Sequence, residues 1–208
     1  MKKALEIKKV DLKKQFKALY AVSSRKVEEI IVPELKFIMI DGAGDPNSPP
    51  FQSAVQSLYN LSYTTKFTSK LEKGIDYPVM ALEGLWWVGE GVEFDMSARD
   101  KWKWTLMIMQ PSFMTEKILA ETSEKLRQKG KQVDKFRLET FREGLAAHIM
   151  HVGPYSTESG TIQKIRDFMM EKSYVLNGKH HEIYMGDPRR TAPSKLKTIL
   201  RQPVRKAP

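Results

Sequence analysis

Cysteine is absent from the 208 residues. That excludes disulfides, thiolate catalysis and cysteine-based zinc sites together, and it fits a reducing, cytoplasmic setting. No run of about 18 apolar residues occurs, so no membrane span is expected. The opening MKKALEIKKVDLKKQF is basic but never reaches the apolar core of a secretory signal. No Gly-x-Ser-x-Gly elbow and no Walker A or dinucleotide glycine pattern is present. Gly42 to Gly44 is too short, and no helix is expected directly after it. Histidine is scarce, with four in all. His148 and His151 diverge on a strand, as do the neighbours His180 and His181, so no metal set forms and no metal or cofactor is expected.

What is present is the composition of a globular protein, 41% hydrophobic and 29% charged, enough apolar material to build one core. The net charge of +10 is concentrated at the two ends. Lys2, Lys3, Lys8, Lys9, Lys13, Lys14, Lys17, Arg25 and Lys26 face only Glu6 and Asp11, and the tail beyond Asp187 holds no acid. No helix-turn-helix, zinc-finger or RNP-type pattern accompanies this charge. It reads as solvated flanks rather than a nucleic-acid interface.

Residues 1–33 read as a basic extension with one helix carrying Leu12, Phe16 and Leu19, ended by Pro33. Leu35 to Ile40 is a strand and Asp41 to Pro50 a loop dense in turn residues. Helical spacing follows at Phe51, Ala54, Leu58 and Leu61. Strands are expected over 77–88 and 102–110, a helix over 115–129, and a strand over 135–141 with a turn at Gly144. The pattern then restarts, with a strand over 149–152, a Gly153–Pro154 turn, a helix over 157–172 and strands over 179–185 and 197–204. Aligning Gly153 on Gly42 brings Phe51 onto Ile162, Ala54 onto Ile165, Leu58 onto Met169 and Tyr63 onto Tyr174. This predicts an α+β fold of tandem duplicated β-α-β-β units, about 34–112 and 144–204, within a domain over 34–208. The sheet would be mostly antiparallel with helices on one face and a ligand cleft at the pseudo-twofold seam.

The residue that most needs a role is Glu182, a lone carboxylate among His and Tyr on a short strand. Alternation places His180, Glu182 and Tyr184 on one face. On the strand over 77–88, Glu83 and Trp87 share a face, and Trp104 adds a flat surface on the next strand. If the two faces meet at the seam, they form an aromatic cleft with acid at its base, suited to a flat aromatic or cationic guest. Glu83, Trp87, Trp104, His148, Tyr155 and His180 are the candidate ligand contacts. The oligomeric state stays open.

The stretches HIMHVGPYSTES, HHEIYMGDPRR and KTILRQPV, with a looser match through FIMIDGAGDPN and SLYNLSYTTKF, resemble the GyrI-like small-molecule-binding domain. That domain also forms the effector-binding part of BmrR-type regulators. The resemblance implies a tandem β-α-β-β fold with Glu182 as the pocket carboxylate and Tyr155 and Tyr184 beside it. It also implies a pocket for bulky aromatic molecules. The short N-terminal segment resembles that of the stand-alone subgroup, some members of which hydrolyse the cyclopropane of DNA-alkylating natural products and so protect cells. On that reading Glu182 is the base that activates water and Tyr184 a donor to the developing oxyanion. The alternative is a non-catalytic ligand sensor or a gyrase-inhibitor-like module that docks on another protein.

Overall fold

The computed structural model describes residues 6–89 and 99–208, so Lys2 and Lys3 of the basic segment lie outside the described residues. Seven strands build the main sheet. They are β2 (Glu28–Ala43), β4 (Leu82–Trp87), β5 (Lys103–Gln110), β6 (Arg137–Val152), β7 (Tyr174–Leu176), β8 (His180–Tyr184) and β9 (Lys197–Lys206). Their order is β6-β2-β5-β4-β8-β9-β7, and β9 also pairs with β6. Every one of these pairings is antiparallel. The added pairing closes six strands into a barrel, which removes the open, concave face expected of a flat sheet. A short parallel pair, β1 (Lys8–Lys9) with β3 (Ile75–Asp76), stands apart.

Among the described residues, five α-helices accompany the barrel. α1 (Leu12–Gln15) and α2 (Lys17–Tyr20) come first, and α3 (Pro49–Lys73), α4 (Glu116–Gln128) and α5 (Ser159–Glu171) follow. α3 starts at a proline pair, where a missing N–H costs nothing, and stops at Gly74, whose φ of 65° suits the left-handed cap. Thr115 caps α4 by accepting from the Ile118 amide. Phe51, Ala54, Leu58 and Leu61 of α3 lie in the larger apolar cluster with Trp86, Trp104 and Leu106, and Ile165 and Met169 of α5 join Ile149 and Leu200 in a second.

Two boundaries differ from the sequence expectation. Pro33 and Gly144, read as a segment end and a turn, both lie inside 16-residue strands. Val32 pairs with Gly144 and Glu34 with Arg142, so Pro33 falls opposite Glu143, at a break in the ladder where its missing N–H is tolerated. Gly144 has a φ of 79°. By strict alternation Glu143 would share a face with Ile149, yet its carboxylate turns the other way, and the left-handed glycine beside it accounts for the change. The segment read as a basic extension is also part of the packing, because Leu12 and Leu19 are buried in the core.

The barrel interior holds a buried ionic cluster among apolar residues such as Leu85, Met107 and Ile183. His181 meets Glu143 through Nδ1 at 2.9 Å and Glu83 through Nε2 at 3.0 Å. Arg201 donates to Glu143 at 3.2 Å and to the Leu19 carbonyl at 2.8 Å, and the Tyr20 hydroxyl donates to Glu83 at 2.7 Å. Two buried anions thus face one guanidinium and one imidazolium. Burial alone would strip the proton from His181, but its two carboxylate partners outweigh it and hold the pKa up at about 9. His181 and Arg201 outweigh burial at Glu143 and hold it down at about 2.

Removing one member leaves the others charged and unpaired. Glu143→Ala is expected to lower unfolding stability by about 3–5 kcal/mol in urea titration. The His181 contribution is complete below its unfolded value of 6.5 and lost as pH rises through about 9. The stability gap between the protein and His181→Gln should therefore shrink across that window. A gap that stays constant from neutral to strongly alkaline pH contradicts the imidazolium.

Candidate functional site

The pairing of β4 with β8 sorts the charged residues of both strands. Gly84 stands opposite Glu182, Trp86 opposite His180, Glu83 opposite Ile183 and Leu85 opposite His181. Paired residues share a face. Glu182, His180, Tyr184, Gly84 and Trp86 therefore look outward toward the helix layer, where Phe51 of α3 stacks on Trp86 at 5.7 Å. Glu83 and His181 look into the barrel.

On the outer face the Tyr184 hydroxyl donates to Glu182 Oε2 at 2.8 Å and accepts from the Trp86 indole at 3.1 Å. His180 Nε2 lies 3.4 Å from Glu182 Oε1. Glycine at position 84 makes this possible, since a Cβ there would sit 2.8 Å from the Trp86 indole nitrogen and 3.2 Å from the Tyr184 oxygen. Tyr155 meets Tyr184 edge-on at 5.9 Å. Glu182 is 7% exposed.

A second carboxyl belongs to the group. Glu158 is 1% exposed. Its Oε1 has no hydrogen-bond partner among the described residues. Burial and then the negative charge of Glu182 push its pKa far above the carboxylate range, so it holds its proton at neutral pH. Burial and the Glu182 charge likewise raise Tyr184 well above an ordinary phenol, and burial with the Glu158 and Glu182 charges takes Tyr155 to about 12. Both phenols are therefore donors over the working pH range. Glu158 is held in place by its own turn. His151 contacts the Thr161 hydroxyl at 2.9 Å, the Pro154 carbonyl at 3.2 Å and the Thr157 hydroxyl at 3.2 Å, which ties β6 to the start of α5.

The structure brings together Glu182, Tyr184, His180 and Tyr155 from the sequence expectation and separates the others. Glu83 lies on the interior face, because alternation puts it one residue out of phase with Gly84. His148 pairs with Arg201 in the ladder and shares its interior face. Burial and the Arg201 charge hold it neutral, near pKa 4. Trp87 is capped by Lys179, whose Nζ lies 3.4 Å from the ring centroid, and its neighbour Trp86 takes the place beside Glu182. Trp104 shares the outer face but is packed beneath Phe51 at 5.2 Å, and its indole fills the space above Gly42. Sequence reasoning gave neither Trp86 nor Glu158 a place in the site. The register of Gly84 against Glu182 identifies the first. For the second, only its position inside the HVGPYSTES motif was a signal.

A cavity of about 610 Å³ opens beside this group, lined by Ile162, Arg166, Met169, Leu176, His180 and Gln202 among others. His180 is common to the cavity and to the Glu182 cluster. Among the described residues, no group of His, Asp and Glu is arranged to hold a metal ion, and no helix is long and apolar enough to cross a membrane.

Comparison with known proteins agrees with this geometry. The model of the GyrI-like small molecule binding domain matches residues 25–205. No curated protein matches the chain. Among solved structures, an uncharacterized conserved protein from Listeria innocua is 43% identical, with a TM-score of 0.87 over 94% of this chain and 100% of that one. A hydrolase from Listeria innocua is 42% identical, with a TM-score of 0.85 over 95% of this chain and 100% of its own. EcmrR, solved in a complex with DNA, shares the fold at 12% identity, with a TM-score of 0.56 over 93% of this chain and 62% of that chain. A cluster of outward carboxyls and phenols on an antiparallel barrel, matched by one family model over most of its length, makes this chain a member of the GyrI-like small-molecule-binding family.

Proposed function

We propose that this protein binds bulky aromatic small molecules between α3 and α5 and hydrolyses those that carry an electrophilic cyclopropane. The cleft lies at the seam of two related β-α-β-β halves, where β4 of one half pairs with β8 of the other. The observation that carries the reading is a pair of buried carboxyls, Glu182 at 7% and Glu158 at 1% exposure, beside the Tyr184 hydroxyl. Glu182 accepts a hydrogen bond from Tyr184, whereas Glu158 is forced by burial and by the Glu182 charge to keep its proton. One group can take a proton while the other gives one.

The chemistry needs both. A cyclopropane fused to a dienone opens when a water oxygen bonds to its methylene carbon. The bond from that carbon to the ring junction breaks, and its electron pair passes into the dienone to become a phenolate. Glu182 takes the proton from water. Glu158 gives its proton to the phenolate oxygen, with Tyr184 as a further donor to the developing charge. Transfer of the proton from Glu182 to Glu158 restores the starting state. Trp86, Tyr155 and Tyr184 supply flat walls for the ring system. The name hydrolase carried by the 42% identical Listeria innocua structure supports a hydrolytic role.

Incubation with a cyclopropane-bearing dienone alkylator should yield a product heavier by one water in mass spectrometry. Glu182→Gln should slow that conversion by about 10²–10⁴-fold, the usual reach of a general base, while ligand quenching of tryptophan fluorescence persists. Saturable quenching with no mass change in the wild-type protein would leave a pure binding module instead. The rate should also fall as pH rises through the elevated pKa of Glu158, because the acid form is the donor. In Glu158→Gln, which cannot donate a proton, that alkaline limb should vanish along with most of the rate. A limb that survives the substitution assigns the proton to another group.

A further inference from the structure

The cavity beside the Glu182 group has walls of a different kind from the group itself. Around Glu182 the surfaces are flat rings, Trp86, Tyr155 and Tyr184. The cavity of about 610 Å³ is bounded by α5 on one side and by β7, β9 and the first residue of β8 on the other. Ile162, Ile165 and Met169 line it from α5, where spacings of three and four put them on one helix face. Val175 and Leu176 line it from β7. Met170, 70% exposed, and Leu176, 36% exposed, open it to solvent. Aliphatic and thioether side chains make a compliant wall that fits saturated, rounded groups. The volume is that of a small-molecule pocket.

The polar side chains of the lining are committed elsewhere. Gln163 donates to Asp167 at 2.8 Å, one turn on along α5. Gln202 donates to the Gly178 carbonyl at 3.1 Å and to the Pro203 carbonyl at 3.2 Å. The Tyr174 hydroxyl donates to Glu29 at 3.0 Å, and the Lys206 ammonium lies 4.4 Å from its ring centroid. Neither Arg166 nor His180 is free. A charged occupant would have to break one of these contacts or stay unpaired, whereas an alkyl group displaces only water.

His180 joins the cavity to the acid. It lines the cavity, and its Nε2 lies 3.4 Å from Glu182 Oε1. His180 and Glu182 are successive outward positions on β8, opposite Trp86 and Gly84 of β4. Two residues of strand, about 7 Å, therefore separate the acid from the alkyl wall. A ring held against Trp86 and Tyr184 reaches the cavity with a chain of a few methylenes.

We propose that this cavity is the aliphatic compartment of the Glu182 site. It takes an uncharged saturated chain or branched alkyl group carried by a ligand whose ring system lies at Glu182. The proposal rests on the small-molecule reading above and adds to it the chemistry of the ligand's second part.

Acridine orange dyes alkylated at the ring nitrogen with methyl, butyl, hexyl or octyl chains separate the two compartments. In fluorescence titration of the full chain, affinity should rise about threefold with each methylene once the chain passes His180, close to the full gain from burying one. Ile162→Trp, which fills the cavity, should bind the methyl dye as before and lose the dependence on chain length. Leu176→Asn, on the exposed edge strand, should weaken the octyl dye by about threefold or more and leave the methyl dye unchanged, which keeps the test valid if the tryptophan variant does not fold. A carboxylate at the chain end should abolish the gain in the wild-type protein. If the methyl dye binds but chain length has no effect, or the effect survives both substitutions, or the carboxylate chain keeps the gain, the aliphatic compartment is wrong and the pocket stands. Failure of the whole series to bind the wild-type protein overturns the pocket reading and the compartment with it.

Discussion

His181 is gripped on both ring nitrogens by buried carboxylates, and much of the molecule depends on that grip. It ties β8 to β4 through Glu83 and to β6 through Glu143, and Glu143 carries the link on to Arg201 of β9. Four strands of the barrel are thereby joined by charge as well as by their ladders. The next residue on β8 is Glu182, which alternation sends to the opposite face. The same short strand therefore faces a buried network of ion pairs on one side and a pair of neighbouring carboxyls on the other. The first fixes the strand and the second is available for chemistry.

The N-terminal residues take part in this arrangement. Tyr20 completes Glu83, and the Leu19 carbonyl completes Arg201. These partners come from chain that precedes residue 25, where the family match begins. Groups left buried without them would cost more than a surface contact does. Among its described residues the positive charge falls on exposed lysines, while Leu12 and Leu19 are buried and the Tyr20 hydroxyl points inward to Glu83.

How much of this was legible in the sequence follows from the range over which each signal acts. The Phe51–Ala54–Leu58–Leu61 spacing is local and marked α3, and period-two alternation placed His180, Glu182 and Tyr184 together. Pro33 and Gly144 were read as breaks because each is a breaker alone. Only their near-opposition across β2 and β6 makes both tolerable within a ladder. Glu83 and His148 were assigned to the cleft because alternation orders residues within a strand but not between strands. The pairing of β9 with β6 closes the sheet and creates the interior that takes them. Glu158 was hidden for the opposite reason. A glutamate at the start of a helix is ordinary, and nothing in its neighbours reports that the turn from Gly153 to Thr157 folds it against the strand face beside Glu182.

Acid–base work at the Glu182 pair requires that Glu158 keep its proton in neutral water. Carbon-13 NMR of glutamate side-chain carboxyls through a pH titration tests it directly. One resonance should stay at the protonated position through neutral pH, move only under alkaline conditions and be missing in Glu158→Gln. A spectrum in which every glutamate has ionised before neutrality contradicts it.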